Sequence, residues 1–248
     1  VHTNQCLMAF LARELDDPQP RPCGRCTSCL QQPLLPITFA APLETQARQF
    51  LAQHNAQEIE PRKQWPGEAL VSHGWKGNIP LKLRAETGYA LCLWGDTGWG
   101  ELVKRGEQQV GRFDDTLVTV TAELIRRRWQ PNPAPRWVTC VPSLNHPTLV
   151  LDFAQRLANV LRLPFRPNIR QIRPTAPQKT MENSYQQARN LANAFVVDSW
   201  EGIQQPVLLI DDIVDSKWTF TVITALLKQA GSGPVFPLAL AMTTPGAE

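Results

Sequence analysis

The stretch VLLIDDIVDSKWTF, residues 207–220, decides the fold of the carboxyl-terminal part of this chain. Its apolar run, Val207–Ile210, is typical of a strand that is buried on both faces of a parallel sheet. Asp211 and Asp212 follow at once, and a helical pattern runs from about Thr219 to Gln229. Because open α/β folds bind ligands beyond the carboxyl ends of their strands, the two carboxylates are predicted to lie in a ligand site.

The residues after this strand have the chemistry of a sugar-phosphate site. Two carboxylates can each accept a hydrogen bond from a ribose hydroxyl, and the N–H groups at the start of a helix bind anions. This arrangement resembles the phosphoribosyl-pyrophosphate (PRPP) motif of type I phosphoribosyltransferases. The resemblance implies ribose and phosphate binding by six residues: Asp211, Asp212, Asp215, Ser216, Lys217 and Thr219. Lys217 stands where that family has glycine, and Trp218 follows it at a variable position.

Two further segments extend the resemblance over nearly all of residues 137–248. WVTCVPSLNHPTLVLDFAQRLANVL, residues 137–161, resembles the family's first strand, its pyrophosphate loop (141–146) and its first helix. RPTAPQKTMENSYQQARNLANAF, residues 173–195, resembles the ComF-like branch of the fold at six positions: Pro177, Gln178, Arg189, Asn190, Ala194 and Phe195. The expected fold of this region is therefore a parallel sheet with flanking helices.

Whether the predicted site catalyses a reaction is a separate question. The Cβ of Lys217 crowds a loop that glycine normally leaves free, although its ammonium group can supply charge to a phosphate. His146 is the one candidate general acid or base, and a loop histidine is more often simply solvated; no catalytic residue is assigned. The sequence favours a retained phosphate or nucleotide pocket without turnover, or a structural domain. The alternative is an active PRPP-dependent transferase, for which Mg²⁺ would accompany the phosphorylated ligand.

Four of the six cysteines lie near the amino terminus, in a pattern that is typical of a metal site. Sixteen residues separate Cys6 from Cys23, and Cys26 and Cys29 continue a C-x₂-C-x₂-C run. Thiolates at this spacing can converge on one tetrahedral Zn²⁺ ion with a structural role. An iron–sulfur cluster and unliganded thiols are the alternatives, and a disulfide is disfavoured because the chain lacks secretory signals.

The segment CLMAFLARELDDPQPRPCGRCTSCL, residues 6–30, resembles the tetracysteine zinc module that follows the motor domains of RecQ-type DNA helicases. The resemblance implies an ATP-dependent 3′-to-5′ DNA helicase with a role in DNA repair, active in the cytoplasm at the nucleoid. It also implies that two motor domains precede this chain, which we expect to be a fragment because it begins at Val1. No G-x-x-x-x-G-K-[ST] sequence occurs in these 248 residues, so ATP binding would belong to the motor domains.

The remaining sequence features set broad limits. A net charge of +3 does not by itself indicate nucleic-acid binding. No apolar run is long enough to span a bilayer, and no signal peptide is recognisable. Cys92 and Cys140 lie in apolar, strand-like runs and are predicted to be buried core residues.

The predicted organisation is an α/β chain of several domains. Residues 1–34 form the small helical zinc module, 35–42 a proline-rich linker, 43–130 an α+β middle domain and 131–248 the phosphoribosyltransferase-like domain. The middle domain is expected to begin with a helix at 43–54 and to end with one at about 114–129, and its composition allows a winged-helix-like hairpin.

Tryptophans in the middle region lie near cationic residues. These are Trp65, Trp75, Trp94 and Trp99, beside Arg62, Lys63, Lys76, Lys82 and Lys104. Such neighbours can stack on bases and neutralise phosphates, and DNA is the expected partner of the region as a whole. For any single tryptophan, packing in a small core is the favoured interpretation.

Overall fold

The computed structural model describes most of the chain in two units. The described residues are 4–32, 40, 42, 43, 46, 56–176, 181, 183–199 and 201–243. The compact units are Val1–Phe50 and Leu51–Glu248. Most of the predicted linker 35–42 and of the predicted helix 43–54 lies outside the described residues. No helix in the described ranges is long and apolar enough to cross a membrane.

Residues 4–32 of the first unit include two short helices, α1 (Leu7–Glu14) and α2 (Thr27–Leu30). Cys6 caps α1, since its Sγ accepts the backbone N–H of Ala9 at 3.4 Å. Among the described residues of this unit, only Ala9 and Cys26 are buried. So little apolar burial does not offset the loss of chain entropy, and the unit needs another source of stability.

The second unit is built on a five-stranded sheet. The strands in the described part of this unit are β1 (Gln57–Ile59), β2 (Gly88–Leu93), β3 (Trp137–Cys140), β4 (Ile169–Gln171), β5 (Phe195–Val197), β6 (Val207–Val214) and β7 (Val235–Met242), of which β4 and β5 form a separate antiparallel pair. The order in the main sheet is β1-β2-β7-β6-β3. All neighbours in this sheet are parallel except the edge pair β1–β2. The expected mixed α/β fold with a parallel-sheet core is thus observed.

Helices cover both faces of the sheet. They are α3 (Trp99–Arg105), α4 (Asp115–Glu123), α5 (Leu149–Leu161), α6 (Ser184–Leu191) and α7 (Trp218–Gln229), with π-helical turns at Gly106–Val110 and Leu124–Trp129. Side chains of α4 and α5 pack into the core on one face, and α6 and α7 belong to the core on the other. The prediction of a closing helix at about 114–129 is confirmed, although its second half is π-helical.

Strand β6 is buried on both faces, as its sequence predicts. Val207 and Leu209 belong to the core beside α7, whereas Leu208 and Ile210 belong to the core beside α4 and α5. All four side chains are 0% exposed. Because successive strand residues point to opposite faces, an unbroken apolar run is what a doubly covered strand requires.

The predicted domain boundary at 130 falls inside the second unit. Strand β2, from the predicted middle domain, pairs in parallel with β7 from the carboxyl-terminal region. A Cβ at Gly88 would overlap the carbonyl oxygen of Pro237, so this position of β2 has room only for glycine. Residues 56–130 therefore contribute the edge of the shared sheet, which periodicity along the chain does not reveal.

The tryptophans of this region differ in their environment. Trp65 and Trp75 are buried and stack with ring centroids 4.7 Å apart, so the packing interpretation is confirmed for both. Trp94 and Trp99 are half-buried. Contact between this region and DNA stays a prediction.

Phe153 lies in the core between α5 and the sheet, and its substitution tests this packing. Its ring is 0% exposed and meets Phe113 edge to face at 5.8 Å. Phe153→Ala is expected to lower the free energy of unfolding by about 3–5 kcal/mol, because it leaves a cavity. Leu151→Ala on the exposed side of α5 is the control and should change it by about 0.5 kcal/mol or less. Denaturant unfolding measures both, and equal losses would contradict the packing described.

Candidate functional site

The acidic pair lies in the carboxyl-terminal half of β6. The strand continues past Ile210 to Val214, because Asp211 pairs with Ala239 and Ile213 with Ala241 of β7. The sequence-based expectation that the strand ends before the acids is therefore wrong by four residues. Asp211 is 9% exposed and Asp212 is half-buried, so water is largely excluded from the first carboxyl group and partly excluded from the second.

Burial makes the charged form of this pair costly. Burial, together with the neighbouring charge of Asp212, raises the pKa of Asp211 well above its usual range. Burial also raises the pKa of Asp212, although its hydrogen bond from the N–H of Ile213, at 2.7 Å, and the charge of His146 oppose this. Perturbed acids of this kind are common where a protein binds a ligand or a cation.

The turn after β6 has backbone geometry that favours glycine. Lys217 has φ 67° and ψ 1°, in the left-handed region, and precedes α7. Thr221 donates to the Lys217 carbonyl from its N–H at 3.0 Å and from its hydroxyl at 2.8 Å. At the start of the turn, the Thr243 hydroxyl donates to Asp215 at 2.8 Å. The turn thus contains a lysine in a backbone conformation that glycine adopts more easily.

Arg62 contacts the turn after β6, which the sequence does not predict. The sequence places Arg62 among candidate DNA-binding cations, whereas its Nε donates to the carbonyl of Ser216 at 2.8 Å. Its guanidinium carbon lies 4.0 Å from the centroid of the Trp218 ring. Arg62 and Ser216 are 154 residues apart in the chain, and no local signal could connect them.

The loop between β3 and α5 begins beside the acidic strand. The N–H of Val141 donates to the carbonyl of Ile210 at 2.8 Å. His146 is exposed, yet its charge reaches Asp212. The predicted pyrophosphate loop and the predicted ribose acids are therefore neighbours, and His146 is the nearest imidazole to them that the sequence singled out.

The ComF-like residues are only partly described. Asn190 ties its helix to Ala176 through two hydrogen bonds, of 3.1 and 2.8 Å. The Arg189 guanidinium lies 6.0 Å from the Tyr185 ring, and Ala194 and Phe195 are buried in the core. Pro177 and Gln178 lie outside the described residues.

The four amino-terminal cysteines converge. The Sγ atoms of Cys6, Cys23, Cys26 and Cys29 all lie within 4.8 Å of one another, and those of Cys6 and Cys26 are 3.9 Å apart. Tetrahedral zinc with bonds of about 2.3 Å requires sulfur–sulfur separations of about 3.8 Å. This donor set fits one metal ion such as zinc and leaves little room for the several iron and sulfide atoms of a cluster.

Local hydrogen bonds prepare one ligand for metal binding. The backbone N–H groups of Cys23, at 3.2 Å, and Ala9, at 3.4 Å, donate to the Sγ of Cys6. These bonds lower the pKa of the Cys6 thiol to about 6. Side-chain hydrogen bonding with Cys26 raises the pKa of Cys29 to about 11, so metal binding must displace its proton.

Cys92 and Cys140 are buried in strands β2 and β3, as predicted. The Cys92 thiol donates to the carbonyl of Leu240 at 3.2 Å. Burial raises the pKa of Cys92 and of Cys140 to about 12. Both therefore behave as core residues in the thiol form.

No protein-family model matches this chain, and no curated protein matches it either. Among solved structures, the purine phosphoribosyltransferase from Pyrococcus horikoshii is 18% identical with a TM-score of 0.32, over 52% of this chain and 71% of that one. The adenine phosphoribosyltransferase from Leishmania tarentolae is 12% identical with a TM-score of 0.35, over 52% and 69%. Each resembles about half of this chain at a low score.

The buried acid at Asp211 should reduce stability at neutral pH. A carboxyl with a raised pKa in the folded state favours folding below the unfolded pKa of about 3.9, and this contribution is lost as pH rises through the folded pKa. Asp211→Asn should therefore raise the free energy of unfolding at pH 7, and the difference from wild type should shrink as pH falls toward about 4.

Asp198→Asn is the matched control, measured by denaturant unfolding at the same pH values. Hydrogen bonding with Arg170 lowers the pKa of exposed Asp198, so this change should leave stability at pH 7 unchanged or slightly reduced. A destabilised Asp211→Asn protein at pH 7 would show that the pair is held by contacts that need its charge.

The cysteine quartet should carry about one zinc ion per chain. Cys29→Ser is expected to lose the metal and unfold the small unit, since a ligand is removed and little core remains. Cys92→Ala, a buried cysteine outside the quartet, should retain it. Elemental analysis of the purified proteins measures this, and wild-type protein without stoichiometric metal would contradict the assignment.

Proposed function

We propose that this chain is an accessory region of a RecQ-like DNA helicase. In this proposal a structural zinc module accompanies a phosphoribosyltransferase-like unit that binds a phosphorylated ribose. Motor domains elsewhere in the protein would hydrolyse ATP and move along DNA. The two parts of the proposal rest on different residues and are tested separately.

The acidic pair carries the ligand-binding part. Asp211 and Asp212 are adjacent carboxylates in a largely buried part of β6, and burial raises the pKa of each. Such a pair is costly to keep in a free protein. A ribose diol supplies two hydroxyl donors, and Mg²⁺ supplies positive charge while keeping phosphate oxygens as ligands. Either ligand would offset the free-energy cost of burying the two acids. A purely structural role would not require such a pair.

Binding without turnover is favoured over transfer. Lys217 has a side chain at the position that resembles the family's glycine, and Trp218 beside it is 1% exposed. The lysine Cβ restricts how closely a phosphate group can approach the turn. His146 is exposed and no hydrogen bond from its ring orients it among the described residues. PRPP-dependent transfer remains the second candidate, supported by the acidic pair.

Calorimetry with PRPP and Mg²⁺ tests this part. Wild type should release or absorb heat on binding, and the Asp211→Asn/Asp212→Asn double variant should not, because both hydroxyl acceptors lose their charge. Asp198→Asn changes an exposed aspartate of the same unit and should bind as wild type does. No heat with wild type at millimolar PRPP would overturn the proposal, and pyrophosphate release would favour the transferase.

The cysteine quartet supports the helicase part. The sixteen-residue gap and the C-x₂-C-x₂-C run bring four cysteines to one place, since their sulfur atoms lie within 4.8 Å of one another. The described residues of this unit bury almost no side chains, so the unit gains most of its folding free energy from the ion. Its role is then to brace neighbouring domains, and DNA would be contacted together with the motor.

Two measurements test the helicase part. The sequence encoded before Val1 should contain a G-x-x-x-x-G-K-[ST] loop and further motor motifs. The complete protein should bind DNA with an affinity that falls as salt rises, and Cys29→Ser should weaken that binding while Cys92→Ala should not. A complete protein without motor motifs, or one that holds zinc but has no affinity for DNA, would contradict it.

A further inference from the structure

The turn between β6 and α7 adopts a conformation that its sequence does not favour. Lys217 has φ 67°, and an L-residue is less stable in the left-handed region than in the right-handed one. Glycine, which the resembling family has here, takes either sign of φ with similar ease. Contacts from elsewhere in the protein must therefore stabilise the turn.

Arg62 provides such contacts on both sides of Lys217. Its Nε donates to the carbonyl of Ser216, the preceding residue, at 2.8 Å. Its guanidinium carbon lies 4.0 Å from the ring centroid of Trp218, the following residue, a distance typical of cation–π stacking. Trp218 is itself fixed, because its side chain is 1% exposed within the core. Holding Ser216 and Trp218 leaves Lys217 little freedom.

The environment of Arg62 is unusual for an arginine. Burial lowers its pKa, yet within the described ranges no carboxylate lies at ion-pair distance from it. The indole Nε1 of Trp218 is also buried without a hydrogen-bond partner among the described residues. A half-buried cation without an anion beside it adds positive potential to the turn, which favours a negatively charged ligand there.

We propose that Arg62 is a positioning residue for phosphate binding at the turn 215–217. It holds Lys217 in the left-handed conformation that glycine would adopt unaided, so that the N–H groups at the start of α7 stay available to the phosphate of a ribose 5-phosphate group. This inference rests on the proposed ligand-binding function. In this inference Arg62, which lies outside the turn's own motif, maintains the backbone conformation that the family's glycine would adopt unaided.

A double-mutant cycle between positions 62 and 217 tests this inference. Arg62→Gln should weaken binding of ribose 5-phosphate, measured by calorimetry, by about tenfold, the ratio that corresponds to about 1.4 kcal/mol. In the Lys217→Gly background the same change should cost less than about threefold, since glycine keeps the conformation accessible. A merely structural loss would be equal in both backgrounds.

Lys63→Gln is the matched control, because it removes an exposed cation from the adjacent position. It should alter the affinity by less than about twofold, since screening weakens exposed charges. Two outcomes would overturn the inference while leaving the proposed function intact. In the first, wild type binds ribose 5-phosphate and Arg62→Gln binds it with the same affinity. In the second, Arg62→Gln weakens binding by the same factor whether residue 217 is lysine or glycine.

Failure of wild type to bind ribose 5-phosphate or PRPP would instead overturn the proposed function. The role of Arg62 at the turn is then decided by thermal unfolding without ligand. Arg62→Gln should lower Tm more in the presence of Lys217 than in the Lys217→Gly background, because only the lysine needs to be held. Equal shifts in Tm would overturn the positioning role as well.

Discussion

Strand β6 imposes the main constraint on the second unit. It lies between β3 and β7 and is covered by helices on both faces, so Val207–Ile210 must be apolar throughout. Asp211 and Asp212 follow this run within the same strand, ahead of Val214, which is again buried in the core at 2% exposure. The same burial that stabilises the sheet raises the pKa of both acids. Burial of this strand therefore disfavours the charged form of both acids.

The turn that follows β6 contains a residue in the left-handed region, a conformation that glycine adopts at no steric cost. This chain has Lys217 there and a buried Trp218 after it. The indole gives Arg62 a surface on which to stack, and the guanidinium in turn holds the carbonyl of Ser216. A tertiary contact therefore stabilises a conformation that the local sequence disfavours, which a glycine loop would not need.

The amino-terminal unit differs from the second unit in how much apolar surface its described residues bury. Its described residues bury almost no side chains, and four thiols converge where a core would otherwise be. A metal ion bound by these thiols would replace hydrophobic burial as the source of folding free energy. The hydrogen bonds from Cys23 and Ala9 to Cys6 form part of this arrangement, since they favour the thiolate before any ion arrives.

The sequence alone determined the features that depend on local pattern. Spacing along the chain identified the cysteine quartet, and apolar runs followed by helical periodicity identified β6, α7 and the parallel-sheet class. Tertiary structure decided what depends on residues far apart in the chain. Strand β2 joins the same sheet as β7, and Arg62 reaches a turn 154 residues away. Both depend on which surfaces meet when the apolar faces are buried, and periodicity within one segment carries no information about its distant partner.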